Sequence, residues 1–384
     1  MRVSRRAILT TGAATAVILA IGGSRWAGSR EARKARAPWR EATTGFGDPR
    51  LDVLAYAILA PNPHNMQPWQ IRLEDESDMS IFCALDRRLP ATDPLDRQIT
   101  IGFGCFLELM RQAAAEKGFR AEISLFPEGE PQPRLDSRPI AAITLVRDEK
   151  LGRDPLFGGA LARRTSRLPF DTKRKVGVEA LSSVLHASVP GVAAHATAAE
   201  AEVRTLRQLT VDGWAIEWST PATRRESIAV MRIGKAEINA DPDGLIIEGP
   251  MMEVLNMLGA VTREKMDQPE TRAYAEGFSS YAQACETAMA YAWTITDSNT
   301  RRDQIEAGRA WVRMQLAANA LGLAFHPISQ ALQEYPEMAE LYGRVHDVLR
   351  AEGGQVVQML SRLGYAPEIP PAPRWPLKSR LIPA

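Results

Sequence analysis

The chain has 384 residues, 45% hydrophobic and 24% charged, with a formal net charge of +1. That length suits two domains, or one large domain built from two halves, around a substantial core. Eight of the 47 Lys/Arg but only one of the 46 Asp/Glu fall in residues 1–37, so the rest of the chain carries −6. A body of that sign argues against nucleic acid as a partner, which needs clustered surplus cations.

Taken in order, the first feature is "SRRAILTTGAATAVILAIGG", an arginine pair (Arg5, Arg6) followed by an uncharged run to Gly23. That layout is an export signal of the twin-arginine type, with Ile8 where the usual pattern has Phe. A cut after "ARA" at Ala37 would leave Pro38 first, so residues 1–37 are read as a signal or a retained anchor. The chain is expected to be periplasmic or exported, touching the membrane only through this segment if uncut.

Beyond it, "PRLDVLAYAILA" has helical apolar spacing and runs into the loop "APNPHNMQPW" (60–69). "WQIRLE" and "MSIFCALD" alternate as strands, "RQITIGFGCFLELMRQAAAEKG" is a helix stopped at Gly118, and "FRAEISLF" and "IAAITLVR" are strands. The second half opens at "DPLFGGALARRTSRLPFD", its apolar run reading as a helix that ends at the arginines. A long helical stretch (about 197–285) is expected next, then strand "AMAYAWTIT", helix "DQIEAGRAWVRMQLAANALG", strand "LAFHPIS", helix "AELYGRVHDVLR" and strand "QVVQMLSRLGY". The Pro-rich tail "PEIPPAPRWPLKSRLIPA" reads as extended.

Slid on itself by 204 residues, the chain superposes Gly104 on Gly308, Met110 on Met314, Ala113 and Ala114 on Ala317 and Ala318, and Gly118 on Gly322. Both copies read helix, glycine, strand. Two related halves in one chain are what a fused dimer would look like. The expected organisation is 1–37 signal or anchor, 38–150 first half, and 151–384 second half with the tail.

Two polar clusters stand out. Arg163, Arg164 and Arg167 with Thr165 and Ser166 offer forked, charge-assisted donors suited to a phosphate, although a solvated basic turn has the same composition. Pro61, Asn62, Pro63, Asn65 and Gln67 make a rigid, amide-rich loop, and turn chemistry alone accounts for such residues too. Cys83, Cys105 and Cys285 fit neither a disulfide framework nor a metal-ligand spacing and read as buried thiols. No metal site is expected.

"RRTSRLPF" resembles the "RRSxRxF" element of the nitroreductase family of flavoproteins, and "APNPHNMQPW" resembles its "APSxxNxQPW". "LAANALGLAFHPIS" is similar to its "AAxxLGLGxxxIG" helix–strand, and "APRWPLKSRL" to its basic carboxy-terminal element. Each occurs once, with the arginine cluster after the loop, which resembles the double-length, Acg-like branch. The resemblance implies an α+β, nitroreductase-like pseudo-dimer holding one FMN.

By that resemblance Arg163, Arg164 and Thr165 hold the phosphate and ribityl chain, and Arg167 lies near the flavin pyrimidine edge. Pro61, Asn62, Asn65 and Gln67 reach in from the other half. Pro327, Ser329 and Gln330 pass near N5, and Arg374, favoured over Lys378 with Arg380, supplies a last phosphate contact. No side chain is expected to be catalytic; His64 and His326 are as well explained as structural histidines. The implied activity is two-electron redox at FMN N5 on a nitro compound, quinone or related small acceptor, by a monomeric pseudo-dimer or weak homo-oligomer. Sequestering FMN with little turnover is the alternative, and a flavin-free exported binding protein is a third reading.

Overall fold

The computed structural model describes residues 32–383. Residues 1–31, and with them the arginine pair of the expected signal, lie outside the described residues. The first half begins with helices α1 (Ala37–Thr44) and α2 (Pro49–Ala57), then strands β1 (Trp69–Leu73) and β2 (Asp78–Cys83). Helix α3 (Arg97–Glu116) leads to β3 (Phe119–Leu125) and β4 (Ala141–Arg147). The second half repeats this plan with α4 (Val178–His186), β5 (Ala193–Thr197) and, after a long insertion, β8 (Ala290–Thr296), α11 (Arg301–Ala320), β9 (Ala324–Pro327), α12 (Ala339–Val348) and β10 (Val356–Gly364). The insertion carries α5 (Glu200–Ser219), α6 (Pro221–Ala229), β6 (Met231–Ile233), α7 (Gly234–Ala240), β7 (Leu245–Ile247), α8 (Pro250–Met257), α9 (Arg263–Asp267) and α10 (Arg272–Glu286). Strand β11 (Leu381–Ile382) ends the chain.

The two sheets have the same strand order. One runs β11-β1-β2-β4-β3 and the other β5-β8-β10-β9, and apart from β11 every pairing is antiparallel. The architecture is therefore α+β with two related halves. Helices α3 and α11 span residues that differ by the 204 positions read from the sequence, and they pack on each other at the centre. Glycine is required where they cross. A Cβ on Gly104 would lie 2.0 Å from the Ile305 carbonyl oxygen, and one on Gly308 would lie 1.9 Å from that of Ile101, the equivalent residue. The backbones touch across a local two-fold.

The helix starts are reciprocal as well. Buried Arg97 donates to the Gln358 carbonyl at 2.8 Å in the second half. Its counterpart Arg301 donates to the Pro131 and Pro133 carbonyls at 3.1 and 2.9 Å in the first. Each bond satisfies a buried guanidinium while tying one half to the other. The tail adds a further tie, since β11 pairs in parallel with β1 of the first half.

Where the structure departs from the periodicity, the cause is local. The arginine cluster follows a short 3-10 turn (Pro155–Gly159) and is irregular, instead of closing an α-helix. The Gly158–Gly159 pair and the polar run leave no continuous apolar face there. The stretch expected to be helical over 197–285 is broken by β6 and β7, a parallel pair flanking α7. Strand β5 went unread because "AAHAT" has an exposed face and little apolar alternation. Among the described residues no helix is long and apolar enough to cross a membrane.

Candidate functional site

The arginine segment and the amide loop, a hundred residues apart in sequence, meet between the halves. Arg163 donates to the Leu59 carbonyl at 2.7 Å, just before the loop. On its other side it donates to Gln315 Oε1 on α11 at 3.1 Å. Gln315 donates in turn to Thr165 Oγ1 at 2.9 Å and to the Phe325 carbonyl at 3.2 Å, so one fully buried amide aligns the arginine segment with β9. Asn319, one turn on, accepts from the Arg164 backbone N–H at 3.0 Å. Neither Gln315 nor Asn319 was singled out from sequence, though their i, i+4 spacing puts them on one helix face.

Arg374 of the tail is the clamp on the loop. Its Nε donates to the Ile58 carbonyl (3.0 Å), one terminal nitrogen to the Leu59 and Ala60 carbonyls (2.8 and 3.0 Å), and the other to Asn65 Oδ1 (2.6 Å) and the Pro373 carbonyl (2.8 Å). Every donor of this guanidinium is engaged. Arg374 here shapes the wall of the loop, with no donor left over.

Gln67 is held in the same way. Fully buried, its Nε2 donates to the Asn65 and Pro242 carbonyls (3.2 and 2.8 Å) and its Oε1 accepts from the Trp375 N–H (2.9 Å). Its own N–H donates to Asn62 Oδ1 at 2.7 Å, while Asn62 Nδ2 donates to the Ala60 carbonyl at 3.1 Å and Asn65 Nδ2 to the Pro373 carbonyl at 3.2 Å. The amides lock the loop instead of lining it. They hold three non-glycine residues, His64, Asn65 and Gln67, at φ of 45°, 55° and 50°, a left-handed backbone that persists only when its surroundings over-determine it. What Pro61, Asn62 and Asn65 present outward is a rigid, partly exposed surface.

The arginine segment differs. None of Arg163, Arg164, Arg167, Arg362 or Arg374 has a carboxylate ion-pair partner among the described residues. Burial, first of all, lowers the pKa of each, holding Arg163 and Arg362 at about 10. After burial, Arg164 depresses Arg163 further and Arg163 depresses Arg374. Arg163 Nε is buried without a partner. Trp39 of α1, unread in the sequence, offers the face of its indole to three of these cations, with Arg164 at 5.2 Å and Arg163 and Arg374 at 5.7 Å from the ring centroid. Aromatic faces relieve part of the cost of unpaired buried cations.

Arg167 is the group left open. It is exposed and has no hydrogen-bond or ion-pair partner among the described residues, and desolvation by the surrounding protein lowers its pKa. Around it stand His64 of the loop, His326 of β9, Tyr281 of α10 and Glu217 of α5, each of which feels its charge. Burial and then Arg167 push His64 down to about 3, so its ring is neutral near pH 7, with Nδ1 buried and unpartnered. His326 accepts from Arg362 Nε at 2.9 Å and is structural. Tyr281 exchanges bonds of 3.0 and 3.2 Å with Gln330, tying the turn after β9, where Pro327 and Ser329 are half-buried, to α10.

Glu217 was not read from the sequence, because one acid in "AIEWS" carries no motif. It is 2% exposed and accepts from Gln333 Nε2 (2.8 Å) and Ser227 Oγ (3.1 Å) without an ion pair; burial raises it to about 7. Cations without acid partners among the described residues, next to a rigid loop and within electrostatic reach of polar groups on β9 and α10, suit an anionic ligand. No cluster of metal-ligating side chains occurs among the described residues.

The insertion presses on this site from outside. Gly244 N–H donates to the Asn65 carbonyl at 3.3 Å, and Asp243 accepts from Arg87 (2.7 Å), Arg232 (2.6 Å) and Trp375 Nε1 (2.9 Å).

No family model matches the chain. In sequence it is similar to a Mycobacterium tuberculosis protein whose provisional name is NAD(P)H nitroreductase Rv3131. The two are 27% identical over 340 residues, which cover 84% of this chain and 88% of that one. A shorter stretch of 115 residues, 30% of this chain and 33% of the relative, is 36% identical to acg of the same organism, provisionally named a NAD(P)H nitroreductase. Similar solved structures include a provisionally named nitroreductase from Anabaena variabilis, 11% identical, TM-score 0.41, covering 80% of this chain and 82% of that one. Another is the FMN-dependent nitroreductase NfnB from Mycobacterium smegmatis in complex with NADPH, 19% identical, TM-score 0.32, covering 53% of this chain and 84% of that one. The chain is thus similar in sequence to proteins named as nitroreductases, and its fold is a double-length α+β arrangement whose two halves share one strand order.

Proposed function

We propose that the protein is an exported, FMN-binding oxidoreductase that passes two electrons to a small nitro, quinone or related acceptor. The observation that carries this reading is the arginine segment itself: Arg163, Arg164 and Arg167 have no acid partner among the described residues, and Arg163 Nε is buried without a hydrogen bond. A buried cation such as Arg163 is costly unless an anion accompanies it. When bound, the flavin would supply the hydride chemistry. Arg163 with its free Nε, Arg164 and Thr165 would hold its phosphate end. Arg167 would sit beside the ring, where a positive charge favours the reduced form. Pro61, Asn62 and Asn65 would act through the fixed loop they build, and Pro327, Ser329 and Gln330 would line the opposite edge.

Similarity to proteins named for NAD(P)H suggests a nicotinamide donor. Anaerobic addition of NADPH to FMN-loaded protein is expected to bleach the flavin, with colour restored by a nitroaromatic or a quinone. A second reading, sequestration with little turnover, is favoured by the insertion seated on the loop through Gly244, Pro242 and Asp243. Bleaching without reoxidation by either acceptor would select it.

A further inference from the structure

The residues that follow the apolar amino-terminal run are part of the fold. Ala32 and Ala35 are buried against Ile238 of α7 with Ile246 of β7 beside them. The Ala35 N–H donates to Asn239 Oδ1 (3.1 Å) and its carbonyl accepts from the Arg374 N–H (2.8 Å). Arg36, 3% exposed, donates to Glu248 (2.5 Å) and the Pro371 carbonyl (2.6 Å), and Trp39 donates to the Ala372 carbonyl (2.8 Å). A cut after Ala37 would remove a strap that buries apolar surface and holds the tail segment carrying Arg374. In the folded chain Pro38 is itself buried, out of reach of a peptidase.

The unit that grips the strap also carries three of the eight exposed large hydrophobic side chains among the described residues. Glu248, paired with Arg36, stands two residues before α8. That eight-residue helix buries none of its residues. Met251 is 70% exposed, Met257 84% and Leu258 75%. Met251, Val254, Leu255 and Leu258 fall at the i, i+3, i+4, i+7 spacing of one helix face. The one charged side chain of α8, Glu253, is turned to the Lys235 N–H at 2.6 Å, away from that face. Exposed patches of this kind mark contact surfaces.

We propose that this face docks on a lipid bilayer, with the strap uncut and the apolar run of residues 7–23 as the anchor. The proposal rests on the anchor reading of the amino terminus and is independent of the flavin. Length supports it. Eight residues, 24–31, separate Gly23 from Ala32. Fully extended they reach at most ~30 Å, so a bilayer holding the apolar run would lie within that distance of the strap and its unit. A short amphipathic helix with Met and Leu on its free face is suited to the headgroup–acyl boundary.

The test uses the full chain in phosphatidylcholine vesicles with a minority of phosphatidylglycerol. The native thiols Cys83, Cys105 and Cys285 are buried, so an environment-sensitive dye can be placed through Leu258→Cys or, as control, through Arg147→Cys in the first half. Spin-labelled lipid is expected to quench the 258 dye at least about threefold more than the 147 dye. Adding Met251→Asp is expected to abolish that excess while the chain still sediments with the vesicles. Equal quenching at both positions would overturn the docking. So would a 258 dye shielded from water but not quenched by lipid and crosslinking between copies, which would assign the face to a second chain. The intact mass of chain extracted from membranes tests the anchor separately: a chain that begins at or before residue 7 supports it, and one that begins anywhere beyond residue 7 overturns it.

Discussion

The amide loop and the arginine segment look alike as polar clusters in the sequence and behave in opposite ways in the fold. In the loop, the polar atoms of Asn62, Asn65 and Gln67 are spent on neighbouring backbone, and Arg374 closes the set. In the arginine segment Arg167 is unpartnered and Arg163 keeps a buried Nε free. A hydrogen-bonded network fixes shape; groups without partners mark where a ligand belongs. Rich polar composition alone did not distinguish the two roles.

The largest effect expected from this contrast is at Gln67. Gln67→Ala leaves the Pro242 and Asn65 carbonyls and the Trp375 N–H without partners, at about 1–3 kcal/mol for each buried group. A loss of roughly 3–5 kcal/mol in urea unfolding is expected. A loss below about 1 kcal/mol would show that the loop is not held by this network.

Glu217 sharpens the comparison from the side of the insertion. Its folded pKa of about 7 lies above the ordinary 4.5, chiefly through burial. Its contribution is therefore fully present below pH 4.5 and is lost as pH rises through about 7. Glu217→Gln is expected to flatten that slope and to stabilise the protein at pH 8 by up to ~3 kcal/mol, since one pKa unit corresponds to about 1.4 kcal/mol. Unfolding curves across pH 4.5–8 check it, and a slope shared by variant and parent would contradict the assignment.

Arg167 should give the smallest change in stability and a large one in binding. Arg167→Leu removes a cation without partners, so unfolding is expected to shift by no more than about 0.5 kcal/mol. Losing a charged contact to FMN weakens binding by roughly tenfold or more. Equal losses in both measurements would make Arg167 structural, like Arg374.

Much of the frame was legible because it rests on local patterns. The 204-residue offset announced two equivalent helix–glycine–strand units; that their helices cross at Gly104 and Gly308, where close backbone approach admits no other residue, came from the structure. Most strands were readable from alternation, and the order of the halves followed from the repeat. What was not legible depends on long-range pairing. That Gln67 would be saturated, that Trp39 would lie under three arginines, and that Glu217 would face Arg167 are facts about partners up to some 330 positions apart. The insertion was misread as continuous helix because β6 and β7, three residues each, are stabilised by pairing with one another and not by their own periodicity.

The most direct test of the central claim is the visible spectrum and flavin content of gently purified protein, with the released chromophore identified by mass. A yellow protein carrying one FMN per chain is the expected result, because one arginine segment and one loop meet at one seam. A colourless protein that takes up no FMN on reconstitution, or one that holds two per chain, would contradict it.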